Sequence, residues 1–258
     1  MTQKLPVGIQ DFEKLRTENY VYVDKTQLLY QMITQGQVYF LSRPRRFGKS
    51  LLVSTLRAIF RGARHLFKGL WIDQSDYTWE QHPVIWLDMS AVENSSAELL
   101  QQSLNEQLGK IAKRYGIELA PSVSVAGRLD NLIIQLAEEN KKVVVLIDEY
   151  DKPLVDQIHR PEIALENREI LKQFYGILKA QDANIRFVLL TGVSKFSKVS
   201  VFSGLNNLED ISLLSEYATL LGYTQEELTD YFAWEIDSLA QKEKLSRQAL
   251  LDEIKHWY

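Results

Sequence analysis

The sequence predicts an α/β fold: a mainly parallel sheet of about five strands with helices on both faces, followed by a small helical region. Three observations predict it. An apolar run, Val38-Tyr39-Phe40-Leu41, passes through a polar loop into Leu51-Leu52-Val53-Ser54-Thr55-Leu56, which reads as strand, loop and helix in that order. A second run, Val143-Val144-Val145-Leu146-Ile147, is largely β-branched and bounded by charge, as befits a strand covered on both faces. Around these two, the patterns run strand, helix, strand, two helices, strand, helix, strand, the order of a parallel sheet with helical crossovers.

The loop after the first strand reads R-P-R-R-F-G-K-S from Arg43 to Ser50. Glycine lets backbone N–H groups approach a phosphate, lysine reaches its outer oxygens, and a serine hydroxyl can ligate Mg²⁺. A helix that begins near Gly48 also points its unpaired N–H groups at the same anion. Arg43, Pro44, Arg45, Arg46, Phe47, Gly48, Lys49, Ser50 and Leu51 therefore form the candidate nucleotide-binding loop. The match is partial, because the usual loop opens with glycine where this chain has Arg43. The second motif, Asp148-Glu149-Tyr150-Asp151, follows its strand directly, and open α/β sheets bind ligands at the carboxyl ends of their strands. Asp148 there can hold Mg²⁺ together with Ser50, and Glu149 can polarise a water for attack on a γ-phosphorus. A lone Asp-Glu pair is more often a solvated strand end. Two half-motifs in the right order on the expected elements favour a site.

Taken in order, the chain opens with a segment whose end, Leu28-Leu29 and Met32-Ile33, has helical spacing and a cap candidate in Asp24 or Thr26. Beyond the loop, the helix from Leu51 to Phe60 stops near Gly62. Arg57, Arg61 and Arg64 read as a solvated face, whereas Arg43, Arg45 and Arg46 lie in the loop, where one of them could neutralise phosphate charge. Trp71, Tyr77 and Trp79 fit a satellite core better than base stacking. A second strand, Val84 to Leu87, ends in Asp88, which shares the sheet end of Asp148 if the strands are parallel; His82 before it reads as structural. Leu100, Leu104, Leu108, Ile111 and Tyr115 mark one helix, and Leu129, Leu132, Ile133 and Leu136 another, with Pro121-Ser122-Val123-Ser124 between them. Ile170, Leu171, Phe174, Ile177 and Leu178 mark a core helix before a strand, Arg186 to Leu190, that ends in Thr191-Gly192. Lys195, in the polar stretch after it, could supply positive charge to a transition state. Residues 202–207 read as a turn, and 208–221 stay ambiguous. Thr224-Gln225-Glu226-Glu227 is a capping box, and Ser246 caps a last helix.

Five stretches carry a family resemblance: L-P-V-G-I-Q-D-F-E-K-L-R from Leu5, Y-V-D-K-T from Tyr22, S-R-P-R-R-F-G-K-S from Ser42, L-I-D-E-Y-D-K-P from Leu146, and T-G-V-S-K-F-S-K-V-S-V-F-S-G-L-N-N from Thr191. With them the chain resembles the AAA-ATPase-like family of prokaryotic P-loop ATPases, whose members also carry arginine at the position of Arg43. The resemblance implies the P-loop three-layer sandwich, ATP rather than GTP as the nucleotide, and a γ-phosphate-sensing role for Thr191. It raises Lys25 as a nucleotide neighbour, although a solvated residue beside the Asp24 cap is the preferred reading. It implies a core over 1–207 and a lid-like helical region over 208–258. Such proteins often continue into a PD-(D/E)XK nuclease-like domain, so an end at Trp257-Tyr258 suits either a short member or a piece of a longer chain.

Composition sets outer bounds. The 258 residues suffice for a sizeable core, and an apolar fraction of 45% is ordinary for a globular protein. The absence of cysteine excludes disulfides, thiolate catalysis and cysteine zinc sites. Four scattered histidines show no metal spacing. No run of eighteen apolar residues and no basic-then-apolar leader is visible, so the expectation is a cytoplasmic protein with no membrane partner. A net charge of −4 argues against whole-surface binding to nucleic acid but leaves local basic patches open. The expected function is an Mg²⁺-dependent ATPase with Lys49, Glu149, Thr191 and Lys195 in catalysis and Ser50 and Asp148 on the metal. The alternatives are a nucleotide-binding switch that controls a nuclease-like or other effector partner, and a nucleic-acid-associated protein that uses the arginine cluster.

Overall fold

The computed structural model describes residues 3–120, 124–138, 141–194, 201–202, 205 and 207–257. Lys195 and Lys198, part of the 202–207 turn, and the Pro121-Ser122-Val123 connector lie outside them. Five strands, β1 (Val38–Ser42), β2 (Val84–Asp88), β3 (Val143–Asp148), β4 (Ile185–Gly192) and β5 (Glu209–Asp210), form one sheet in the order β2-β3-β4-β1-β5. Every pairing is parallel. The fold is thus the expected α/β sandwich.

β3 shows why its sequence is apolar throughout. All its residues are buried, and consecutive side chains enter opposite cores. Val143, Val145 and Ile147 join Phe40, Ile85, Val188 and Leu190 under helices α4 (Ala97–Arg114), α5 (Val125–Leu136) and α7 (Pro161–Ala180). Val144 and Leu146 join Tyr39, Leu41, Phe187 and Leu189 under α1 (Phe12–Thr17), α2 (Thr26–Gln35) and α3 (Lys49–Phe60). Side-chain caps set the starts: Ser96 accepts from Leu99 N at α4, and Ser124 from Gly127 N at α5. The one-turn α6 (Lys152–Val155) follows the acidic motif. Tyr77 and Trp79 pack at the edge of the second core as a satellite, with the Trp79 ring 5.1 Å from that of Phe67.

The ambiguous stretch 208–221 belongs to the sheet layer. It supplies β5, and Ile211, Tyr217 and Leu220 bury into the α3 core. A separate apolar cluster of Ile236, Ala240, Leu250 and Leu251 holds together α8 (Gln225–Tyr231), α9 (Ala233–Glu243) and α10 (Arg247–Trp257). The change of core therefore falls near 221–224, after the expected boundary at 207. The predicted capping box at Thr224 is present, with Thr224 accepting from Glu227 N and Glu227 from Thr224 N. Among the described residues no helix is long and apolar enough to cross a membrane.

Candidate functional site

β1, β4 and β3 are neighbours, so their carboxyl ends bring three segments together: the loop after Ser42, Thr191-Gly192, and Asp148-Glu149. Backbone bonds fasten them at that edge, Arg43 N donating to Gly192 O at 3.1 Å and Tyr150 N to Thr191 O at 2.8 Å.

In the loop, Gly48 has φ +90°, a left-handed conformation that costs glycine little, and it caps α3 with no side-chain bond. The first N–H groups of this helix of 12 residues are thereby left for an anion. Lys49 is 5% exposed and curls back, its Nζ donating to the carbonyls of Arg43 and Pro44 at 2.9 Å each. Burial holds its ammonium below the ordinary lysine range, while Asp148, Glu149 and Asp151 act in the opposite sense. Ser50 beside it is half-buried, and Pro44, Arg45, Arg46, Phe47 and Gly48 are exposed. Arg43 is used differently from its loop neighbours. Its guanidinium donates to Ser212 O, and Ser42 N donates to Ser212 Oγ at 2.8 Å, so the start of the loop is tied to the segment after β5.

Opposite the loop, Asp148 is 4% exposed and accepts from the Thr191 hydroxyl. Glu149 N donates to the same hydroxyl oxygen at 3.4 Å. Thr191 thus links the two residues expected to hold metal and water. Glu149 has φ +54°, a left-handed conformation that is uncommon for a side chain of its type. Burial first, then the charges of Asp148 and Asp88, push its carboxyl above the ordinary glutamate range. Asp88 lies in register with Asp148 across β2 and β3, and its Oδ1 accepts from Ser90 N at 2.9 Å and Ser90 Oγ at 2.6 Å.

Asp151, the last residue of the acidic motif, has a part that its neighbours in sequence do not signal. Asp151 is 1% exposed and accepts from Val193 N, Ser194 N and Ser194 Oγ at 3.1, 2.7 and 2.8 Å, which fixes the chain where it leaves β4. Tyr150 OH adds a bond to Ser194 O at 2.9 Å. A buried amide set supports α6 from behind: Gln157 donates to Asn94 Oδ1 at 2.7 Å, and Asn167 to Asn94 O at 2.9 Å. No local pattern signals these residues, because their partners lie 63 and 73 positions away. Lys195 lies outside the described residues.

The junction between the sheet core and the helical region lies against this site. Leu221 lies 3.7 Å from where a Cβ on Gly48 would sit, and Phe47 3.6 Å from one on Gly222. Lys25 neither floats in solvent nor waits free for a nucleotide. It pairs with Glu227 of α8 at 2.5 Å, both side chains largely covered, while Asp24 N donates to Tyr231 OH at 3.3 Å.

A family model described as Predicted AAA-ATPase matches residues 6–202. A curated relative from Azotobacter chroococcum mcd 1, an uncharacterized protein in the vnfD 5′ region, is 45% identical over 259 aligned residues. That alignment takes in 99% of this chain and 48% of the relative, so the chain spans about half the relative's length. Among solved structures, Cdc6p from Pyrobaculum aerophilum superposes with a TM-score of 0.40 at 13% identity, over 81% of this chain and 48% of that one. The Aeropyrum pernix Orc1 protein, solved in complex with DNA, gives 0.44 at 14% identity, over 93% and 61%.

Proposed function

The chain belongs to the predicted AAA-ATPase family, and from that premise we propose that it binds Mg²⁺-ATP and hydrolyses it. The observation that carries the reading is the junction of three strand ends. There a buried Asp148 held by Thr191 faces a buried Lys49 and the uncapped start of α3. A hydroxyl and a carboxylate are hard oxygen donors that suit Mg²⁺, which fills its remaining positions with phosphate oxygens and water. Ser50 and Asp148 would hold the ion, and its chemistry would be to neutralise charge on the phosphates. Lys49 exchanges two loop carbonyls for phosphate oxygens, so its ammonium leaves one set of acceptors only when another arrives. Glu149, with a raised pKa, is suited to orient a water and take up its proton. Thr191 is buried with its one hydroxyl proton committed to Asp148, so its part is to keep Asp148 and Glu149 in one frame. The test is phosphate release with Glu149→Gln: turnover should fall at least a hundredfold while Mg²⁺-ATP binding stays within about threefold. Turnover that survives the substitution removes Glu149 from the chemistry.

A specific contact favours a second reading, a nucleotide-controlled switch for an effector partner. The loop packs against Leu221-Gly222, and α8 is tied to the core by Lys25. A loop that moves on binding nucleotide would therefore move the helical region. ATP binding with no turnover, accompanied by changed hydrogen exchange over 221–243, would favour the switch over the ATPase.

A further inference from the structure

The arginines that the sequence groups on and after α3 divide into two kinds. Arg64 closes on Asp73 at 2.9 Å. Arg57 and Arg61 make no ion pair among the described residues, and neither does Arg114 at the end of α4. These arginines lie away from the nucleotide loop, at the amino-terminal edge of the sheet: Phe60 O accepts from His82 N at 2.8 Å, and Val84 N, the first of β2, donates to Tyr115 OH at 2.8 Å.

Arg57 is half-buried, its guanidinium 4.6 Å over the ring of Trp86. With Arg61 it lines a cleft of about 320 Å³ that also takes in His65, Gln81, Asp11 and Glu13. Burial, then the like charges of Arg61 and Arg114, oppose the charge on Arg57, and Asp11 and Glu13 offset them less. Asp11 is engaged in capping α1 through Lys14 N. Helix C-termini favour nearby cations, which accounts for basic residues ending α3 and α4. It does not account for a half-buried guanidinium set over a tryptophan ring, with the charges of Arg61 and Arg114 acting on it and, among the described residues, no ion pair closing on any of the three.

We infer that this cleft and its rim bind the phosphodiester backbone of a nucleic acid, at a site separate from the nucleotide loop. A guanidinium fork matches phosphate oxygens, and stacking uses its flat face while leaving the N–H edges for in-plane acceptors. Arg57 and Arg61 come from the end of α3 and Arg114 from the end of α4, on opposite faces of the sheet, and both ends reach the start of the edge strand β2. Anions spaced along a polymer can meet all three at once, and one carboxylate cannot.

The experiment is fluorescence anisotropy with labelled DNA and RNA strands of about 20 nucleotides, titrated from roughly 50 mM salt upward. Wild type should bind with log K falling against log salt at a slope of about −2 to −3, as three phosphate contacts require. Arg61→Glu combined with Arg114→Glu, both exposed, should weaken binding at least tenfold, flatten that slope, and leave ATP binding and the melting temperature unchanged. Lys49→Ala should keep full nucleic-acid affinity, which separates failure here from failure of the ATPase reading. The stronger of the DNA and RNA arms identifies the polymer. No binding at the lowest salt, equal affinity in the double variant, or loss in Lys49→Ala would each overturn the inference. So would a poly-glutamate peptide that displaces the oligonucleotide at equal charge concentration, since the cleft would then be a site for an acidic protein surface.

Discussion

Gly192 ends β4 against the acidic motif, and replacing it with alanine is a severe test of the site's packing. A Cβ there would meet the Tyr150 ring, with Cδ1 at 2.5 Å, and Asp151 Oδ1 at 2.7 Å. Neither neighbour can give way easily, since Tyr150 is 0% and Asp151 1% exposed, and Asp151 holds three donors in place. Overpacking a rigid core costs about 1–3 kcal/mol, and two buried neighbours put Gly192→Ala at the upper end, near 3 kcal/mol. For a chain of this size each kcal/mol moves the melting temperature by about 2–4 °C, so Gly192→Ala should melt roughly 6–12 °C lower. Gly176 is the matched control. It lies within α7 with nothing within 4 Å of its would-be Cβ, so Gly176→Ala should gain about 0.5–1 kcal/mol from helix propensity alone. Thermal unfolding followed by circular dichroism reads both, with phosphate release on the same samples. A Gly192→Ala protein that melts within about 1 °C of wild type would refute the packing described around Asp151.

Other consequences follow from the charges. Glu149 titrates above its ordinary range in the folded chain, so its ionisation opposes folding as pH rises from the unfolded value through the folded one. Glu149→Gln should therefore melt higher than wild type at pH 7.5, with the advantage shrinking toward pH 4; a difference independent of pH would contradict the burial argument. Lys25 and Glu227 form a mostly covered pair, so a double-mutant cycle with Lys25→Met and Glu227→Gln should give a coupling of about 1–3 kcal/mol. Hydrogen exchange over α8 and α9 should rise in Lys25→Met, and unchanged exchange would mean that the pair does not hold the helical region to the core.

The sheet was legible because its strands are long enough to show their pattern. β3 could be read from five consecutive apolar residues and a charged boundary on each side. β5 could not, since Glu209–Asp210 has no alternation to show and forms because β1 offers it a parallel edge. Phe232 breaks what reads as one helix from Leu228 to Glu235 into α8 and α9, a break that no proline or glycine announces. In the site, Lys49, Asp148 and Glu149 declared themselves by type and position. Asp151, Asn94 and Asn167 did not, because their importance comes from buried bonds to residues far along the chain. Arg57 and Arg64 look alike in sequence, and only the fold separates the one stacked on Trp86 from the one paired with Asp73. Lys25 shows the same limit, because its partner lies 202 residues along the chain.

Calorimetric titration of Mg²⁺-ATP tests most directly whether the loop around Lys49 is a nucleotide site. Wild type should bind one equivalent, and Lys49→Ala, with circular dichroism showing it folded, should lose at least tenfold in affinity, about 1.4 kcal/mol. Binding of equal strength in both proteins, or no binding in wild type, would contradict the assignment of this loop.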